Sequence, residues 1–261
     1  MTGVPGEPAA ERVAELTANL AAVRSRLAQA AEVAGRVPPD VPLLPTTRFF
    51  PAGDVAILWR LGCRAFGESR DQEAAAKIAE FDRLVAADAG ISGGTGRARW
   101  HMVGQIQKNK AKHIAAWADT VHSVFKAKVV EALDKGARDA LADGRRRQPL
   151  RVLVQISLDG DTERGGVDIG DPAAVDRICA QIAEAEALTL IGLMAIPPLG
   201  ADPDAAFAAV AKEHRRILAA HPGATELSAG MSDDLEAAVR HGSTCVRVGT
   251  ALMGKRPLTS P

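Results

Sequence analysis

The sequence predicts an α/β fold: a single (β/α)8 barrel of the TIM type with one extra helix ahead of the first strand. Eight short apolar runs take turns with longer stretches of helical periodicity. The length, 261 residues, suits one such barrel. No Pro/Ser-rich linker divides the chain, so the expected organisation is a tail over residues 1–10, one barrel domain over 11–256 and a second tail over 257–261.

The first element is a long helix over Glu11–Ala34, where Val13, Leu16, Leu20, Val23 and Leu27 recur at helical spacing. Strands follow at Val41–Thr47, Cys63–Gly67, Arg99–Gly104, Thr120–Val124, Arg151–Leu158, Leu190–Ile196, Thr225–Ser228 and Thr244–Gly249. Helices lie between them at Asp54–Leu61, Asp71–Ala87, Lys108–Trp117, Lys126–Ala142, Pro172–Ala187, Pro203–Ala220 and Ser232–Arg240. Asp171-Pro172 and Asp202-Pro203 each place a capping carboxylate before a proline at the first helical position. Ser232-Asp233-Asp234 loads negative charge onto an expected helix start, where the helix dipole favours it.

Composition narrows the function classes. Lys plus Arg and Asp plus Glu both number 32, so the formal net charge is zero and bulk electrostatics points to neither nucleic acid nor an anionic membrane. The run Arg145-Arg146-Arg147 sits beside Gly144 and Gln148-Pro149 and reads as a solvated turn. Cys63, Cys179 and Cys245 are odd in number, far apart and without C-x-x-C spacing, so neither a disulfide framework nor a zinc site is indicated. The N-terminus lacks the apolar core of a signal peptide and no stretch is apolar enough to span a bilayer, which predicts a cytoplasmic protein.

In a barrel of this kind the working residues lie at the C-terminal ends of the strands. Those positions hold Arg48, Glu68-Ser69, Gln105, the segment Asp159–Gly166, Pro197-Pro198, Ser228–Ser232 and Arg247–Thr250. Gly93-Gly94-Thr95-Gly96 resembles a phosphate loop in isolation, but it precedes a strand and is expected to be structural. The strongest signal is the pair of loops after the seventh and eighth strands. Ser228-Ala229-Gly230-Met231-Ser232 supplies hydroxyls, a glycine for close backbone approach and the amides of an expected helix start. Arg247-Val248-Gly249-Thr250 adds a second glycine amide and another hydroxyl, so a phosphate site is expected here.

Several motifs resemble one family. Phe66-Gly67-Glu68-Ser69-Arg70-Asp71-Gln72-Glu73-Ala74 is similar to F-G-E-N-x-x-Q-E-A, and Trp100-His101-Met102-Val103-Gly104-Gln105-Ile106-Gln107-Lys108-Asn109-Lys110 to W-H-F-I-G-x-L-Q-x-N-K, both of the pyridoxal phosphate homeostasis proteins. Val121-His122-Ser123-Val124, Gly192–Pro198, Gly230–Ala238 and Val246–Ala251 extend the resemblance from about Leu16 to Gly254. It implies a barrel related to the N-terminal domain of alanine racemase, holding pyridoxal 5′-phosphate (PLP) or a related phosphorylated vitamer. By motif position it implies phosphate contacts at Ser228, Gly249 and Thr250, with Gly230 and Met231 in the same loop pair. Arg247 falls at the pyridine nitrogen, and Ser69 and Gln105 beside the ring. A permanent cation at that nitrogen disfavours the protonated ring and weakens it as an electron sink. The resemblance therefore implies a cofactor-binding regulator without an established reaction, as a monomer or weak dimer.

One departure stands out. The family pattern L-L-A-V-T-K-x-F-P places a Schiff-base lysine where this chain reads Leu43-Leu44-Pro45-Thr46-Thr47-Arg48-Phe49-Phe50-Pro51. Arg48 holds the lysine position. A guanidinium stays protonated and has no lone pair for an aldehyde, so PLP is expected to bind here without a covalent bond. Pro45 removes an N–H that a central strand uses, Ser69 replaces an asparagine, and Arg164 stands where some relatives carry another lysine. Three readings stay open: a PLP-binding homeostasis protein, a barrel enzyme using another lysine (Lys126 or Lys255) or a phosphorylated substrate, and a paralogue that no longer binds PLP.

Overall fold

The computed structural model describes residues 10–37, 41–88, 96–161 and 163–255. The glycine-rich stretch Gly93-Gly94-Thr95, like both expected tails apart from Ala10, lies outside these residues. Among the described residues the strands are β1 (Leu43–Pro45), β2 (Ala65–Glu68), β3 (Arg99–Met102), β4 (Thr120–Val124), β5 (Leu150–Ser157), β6 (Val167–Asp168), β7 (Leu188–Ala195), β8 (Glu226–Ser228) and β9 (Val246–Val248). The helices are α1 (Ala10–Val33), α2 (Ala52–Arg60), α3 (Asp71–Ala87), α4 (Ala111–Trp117), α5 (Ala127–Ala142), α6 (Pro172–Ala183), α7 (Pro203–Ala220), α8 (Leu235–Arg240) and α9 (Thr250–Met253).

All pairings are parallel. One ladder runs β2-β3-β4-β5-β7-β8 and another joins β1 to β9. Single bridges, Thr46 to Gly67 and Ser228 to Cys245, link the two ladders and close the ring. Pro45 explains why the first seam is so narrow. The Thr46 N–H donates to Val248 and the Thr47 N–H to Gly67, both at 2.9 Å, so N–H groups of this strand alternate between neighbours. By that alternation the N–H that Pro45 lacks would have faced β2. The unexpected β6 lies in the loop after β5 and pairs back onto it through Ile156 and Ser157.

Apolar side chains form two shells outside the barrel and a small patch within. Leu133, Val152, Val154, Cys179, Phe207 and Val210 centre the shell beneath α4–α7. The other lies beneath α1, α2, α3, α8 and α9, with Leu16, Leu20 and Val23 of α1 seated in it. Its aromatic centre sets Phe66, Phe81 and Trp100 with ring centroids 5.5–6.0 Å apart. Each such side chain contributes roughly 1.5–3 kcal/mol on burial. Inside the barrel Leu153, Ile191 and Met194 pack together with Ile196.

Helix starts follow the expected chemistry at two places. Asp171 accepts the Ala174 N–H at 2.9 Å and Asp202 accepts the Asp204 N–H at 3.2 Å, each ahead of its proline. The helix expected from Ser232 instead begins at Leu235. Asp234 takes the Met231 N–H at 2.6 Å, and the Ser232 hydroxyl accepts the Ala251 N–H at 3.2 Å. These local bonds compete with the first helical turn and make Met231–Asp234 a tight turn. The helix expected over Lys108–Trp117 opens as a 3-10 turn at Lys108–Lys110 before α4. No helix among the described residues is long and apolar enough to cross a membrane.

Candidate functional site

Arg48, at the C-terminal end of β1, stands on a turn held from beneath by a buried ion pair. The Lys77 ammonium, on α3, lies 2.7 Å from Glu68 Oε1 at the end of β2, with the two side chains 9% and 1% exposed. Lys77 also donates to the Thr47 carbonyl at 2.8 Å, and the Thr47 hydroxyl donates to Glu68 Oε1 at 2.6 Å. Thr47 is thus gripped by side chain and main chain, and its carbonyl also accepts the Phe50 N–H at 3.1 Å. Burial pushes the Glu68 carboxyl up from its ordinary value, against the pull of Lys77. Its second oxygen, Oε2, has no hydrogen-bond partner among the described residues. Above this clamp Phe49 takes a φ of 69°, rare for an aromatic residue. The Arg48 and Arg70 guanidinium carbons lie 5.4 and 5.3 Å from its ring centre.

This turn forms one wall of a cavity of about 270 Å³ at the C-terminal ends of the strands. Arg48 and Phe49 face Arg247, Gly249 and Thr250 from the end of β9, with Met231, Ser232 and Asp233 from the turn after β8. Val103 and Ile196 supply apolar surface from the ends of β3 and β7. A Cβ placed on Gly249 would meet Thr46 only at ordinary contact, 3.7 Å, so packing does not require glycine there. Gly230 differs. Its φ is 90° and a Cβ would come within 2.6 Å of the Ala238 Cβ, so this glycine serves the packing of α8.

Arg247 points into the barrel and is buried. Its Nη1 donates to the Ser228 hydroxyl at 2.6 Å and its Nη2 to the Ala195 carbonyl at 3.0 Å. Ser228 Oγ lies 3.0 Å from His122 Nδ1, and His122 Nε2 lies 2.9 Å from His101 Nδ1. Burial, then the charges of Arg99 and Arg151, push His101 down to about 3. Burial, His101, Arg247 and Arg151 hold His122 well below its ordinary value, so both imidazoles are neutral at physiological pH. Ser228 therefore sits inside the barrel beneath the cavity wall, as a partner of Arg247.

Ser69 and Gln105 line an adjoining pocket of about 340 Å³ with Arg70, Met102 and Lys110. The loops after β2 and β3 cross so closely that any side chain at Gly104 would run into the Ser69 backbone. Lys126 lies away from the Arg48 cavity, its ammonium 5.1 Å from the Phe125 ring centre. Arg164 is held by Asp159 at 3.3 Å and by the Pro197 carbonyl at 3.0 Å. The cavity thus gathers Arg48, Met231, Arg247, Gly249 and Thr250 of the expected residues, while Ser69, Gln105, Ser228 and Gly230 lie around it. Ser232 and Glu68 stood at expected strand-end positions, whereas Phe49, Asp233 and Lys77 were not among the expected site residues.

The alanine racemase N-terminal domain model matches residues 47–257. The chain is 62% identical to the pyridoxal phosphate homeostasis protein of Mycobacterium tuberculosis, over 96% of both chains. It is 33% identical to that of Escherichia coli, over 93% of this chain and 97% of the relative. The chain belongs to the pyridoxal phosphate homeostasis protein family. Among similar solved structures is PipY of Synechococcus elongatus with PLP bound, which shares 31% identity and a TM-score of 0.74 over 92% of this chain and all of that one. A protein of Bifidobacterium adolescentis superposes with a TM-score of 0.81 at 32% identity, covering 94% of this chain and 97% of that one. An alanine racemase of Clostridium difficile, 15% identical with a TM-score of 0.59 over 94% of this chain and 58% of its own, shares the fold alone. The barrel is therefore a feature shared with the family, and Arg48 stands on that frame.

Proposed function

We propose that this chain binds pyridoxal 5′-phosphate, or a related phosphorylated vitamer, in the Arg48 cavity without a covalent bond, as a cytoplasmic cofactor-homeostasis protein. The observation that carries this reading is the convergence of two guanidinium groups, a glycine amide and two hydroxyls on one cavity, in a chain similar to a Synechococcus protein solved with PLP bound. The residues fit the group. Ligand pockets typically measure about 300–1,000 Å³, and 270 Å³ at the low end suits one small ring carrying one phosphate. Gly249, Thr250 and Ser232 present an amide and hydroxyls of the kind that hold a phosphate. Val103 and Ile196 offer apolar surface to a ring.

When bound, PLP supplies an electrophilic aldehyde and a ring that accepts electrons. Arg247, a buried cation, would face the ring nitrogen and keep it unprotonated, which blunts the electron sink. Arg48 would hydrogen-bond the phenolate or phosphate oxygens while offering no nucleophile. Lys77 is engaged by Glu68 and the Thr47 carbonyl, and Lys126 lines other pockets, so neither supplies the missing amine at this cavity. Binding and release, with no bond made, suit a carrier or buffer that works as a monomer or weak dimer. Titrating the protein with PLP and recording visible absorbance before and after borohydride tests this. Saturable binding fully reversed by dialysis is expected, and no binding, or stoichiometric borohydride capture, refutes it.

A further inference from the structure

Beneath the cavity, Arg247, Ser228, His122 and His101 form a continuous polar line through the barrel interior beside the apolar patch of Leu153, Ile191 and Met194. Buried polar groups in such surroundings must be satisfied in one consistent set of donors and acceptors. Ser228 Oγ accepts from Arg247, since a guanidinium has donors only. Its own hydrogen then has two destinations, His122 Nδ1 or the thiol of Cys245 beside it. Burial pushes Cys245 up to about 11, which leaves it a protonated thiol and a weak acceptor. The imidazole nitrogen is the stronger acceptor and takes the proton's bond.

We infer that His122, backed by His101, is a positioning residue: it draws the Ser228 hydroxyl proton away from the cavity and so leaves Ser228 Oγ as a fixed acceptor that orients Arg247. In this arrangement Ser228 donates to His122 Nδ1, and His122 Nε2–H donates to His101 Nδ1. The electrostatics agree with that direction. Each O–H and N–H dipole turns its negative end toward the buried Arg247 cation. At the far end of the line Arg151 is paired with Glu226, and Arg99 is exposed to water, so both act through screening. With Ser228 and the Ala195 carbonyl holding two N–H groups, the guanidinium presents its remaining donors in one orientation at the cavity. The role of that orientation at a ring nitrogen rests on the PLP reading above, while the direction of the line does not.

Two measurements separate these parts. Nitrogen-15 NMR of the imidazoles in the protein without added PLP should show both histidines neutral from pH 5 to 8 and His122 protonated on Nε2. A proton on His122 Nδ1 would overturn the inference whatever the fate of PLP. For binding, His122→Leu removes the acceptor, whereas His122→Asn keeps a side-chain oxygen near the Nδ1 position. The leucine variant should bind PLP about tenfold more weakly, the scale of one charge-assisted hydrogen bond. The asparagine variant should recover most of that loss at similar thermal stability. Equal affinity in wild type and His122→Leu, or equal loss in both variants, overturns the positioning role. If wild type itself binds no PLP, the proposed function fails, and slowed hydrogen exchange of the Arg247 side chain in wild type but not in His122→Leu then decides the inference.

Discussion

Replacing Lys77 by methionine isolates the ion pair beneath the Arg48 turn. Methionine matches the length of the lysine stem and fills the same space between α3 and β2, so packing changes little. What changes is charge. Glu68 would remain buried with one oxygen bonded to Thr47, the other still unpartnered, and no cation beside it. Removing one partner of a buried pair costs about 3–5 kcal/mol, a large share of a typical total stability of about 5–15 kcal/mol. For a chain of this length that corresponds to a fall of roughly 10 °C in midpoint. The sign of the pH dependence follows from Glu68, whose pKa in the fold is already raised by burial and would rise further without Lys77. A carboxyl with a raised folded pKa favours the fold below its unfolded pKa, and that advantage is lost as pH rises through the folded value. Urea denaturation of Lys77→Met should therefore show a smaller deficit near pH 5 than near pH 8. The double variant Lys77→Met/Glu68→Gln, which has no charge to bury, should recover part of the loss. A deficit below about 1 kcal/mol at pH 8, or one that does not vary with pH, would refute the view that a buried charge pair holds this turn.

The other expectations concern the site and its frame. Arg48→Lys should gain a borohydride-trappable PLP adduct, read as a mass increase on the peptide containing residue 48, because only lysine supplies a deprotonatable amine; a variant that traps none would mean the cavity does not present this position to the aldehyde. Arg247→Ala should weaken PLP binding, and wild-type affinity in that variant would remove Arg247 from the site. Gly230→Ala should destabilise the fold by about 1–3 kcal/mol through positive φ and collision with Ala238, whereas Gly249→Ala should leave stability nearly unchanged and act on PLP affinity; chemical denaturation of the pair distinguishes them. Asp171→Ala should cost about 1 kcal/mol through loss of the bond to the Ala174 N–H, and an unchanged denaturation midpoint would show that Pro172 alone starts α6.

Local patterns in the chain determined the architecture. Alternation of apolar runs with helical periodicity placed eight barrel strands in order, and Asp-Pro pairs marked the starts of α6 and α7, because periodicity and capping depend on neighbours a few residues away. Position at strand ends brought Arg48, Arg247, Gly249 and Thr250 into view as cavity residues for the same reason. Contacts between distant segments decided the rest. Gly230 and Gly249 look alike in sequence, yet one abuts Ala238 and the other opens on the cavity, a difference set by how α8 packs. Ser228 carries a hydroxyl suited to a phosphate, but Arg247 from the next strand and His122, 106 residues earlier, claim it inside the barrel. Lys77 reads as one of two cations on the helix Asp71–Ala87 until α3 folds over β2 and buries it against Glu68. Hydrogen-bond partners and burial are properties of three-dimensional neighbours, and a strand–helix pattern specifies which face a residue takes without specifying whom it meets there.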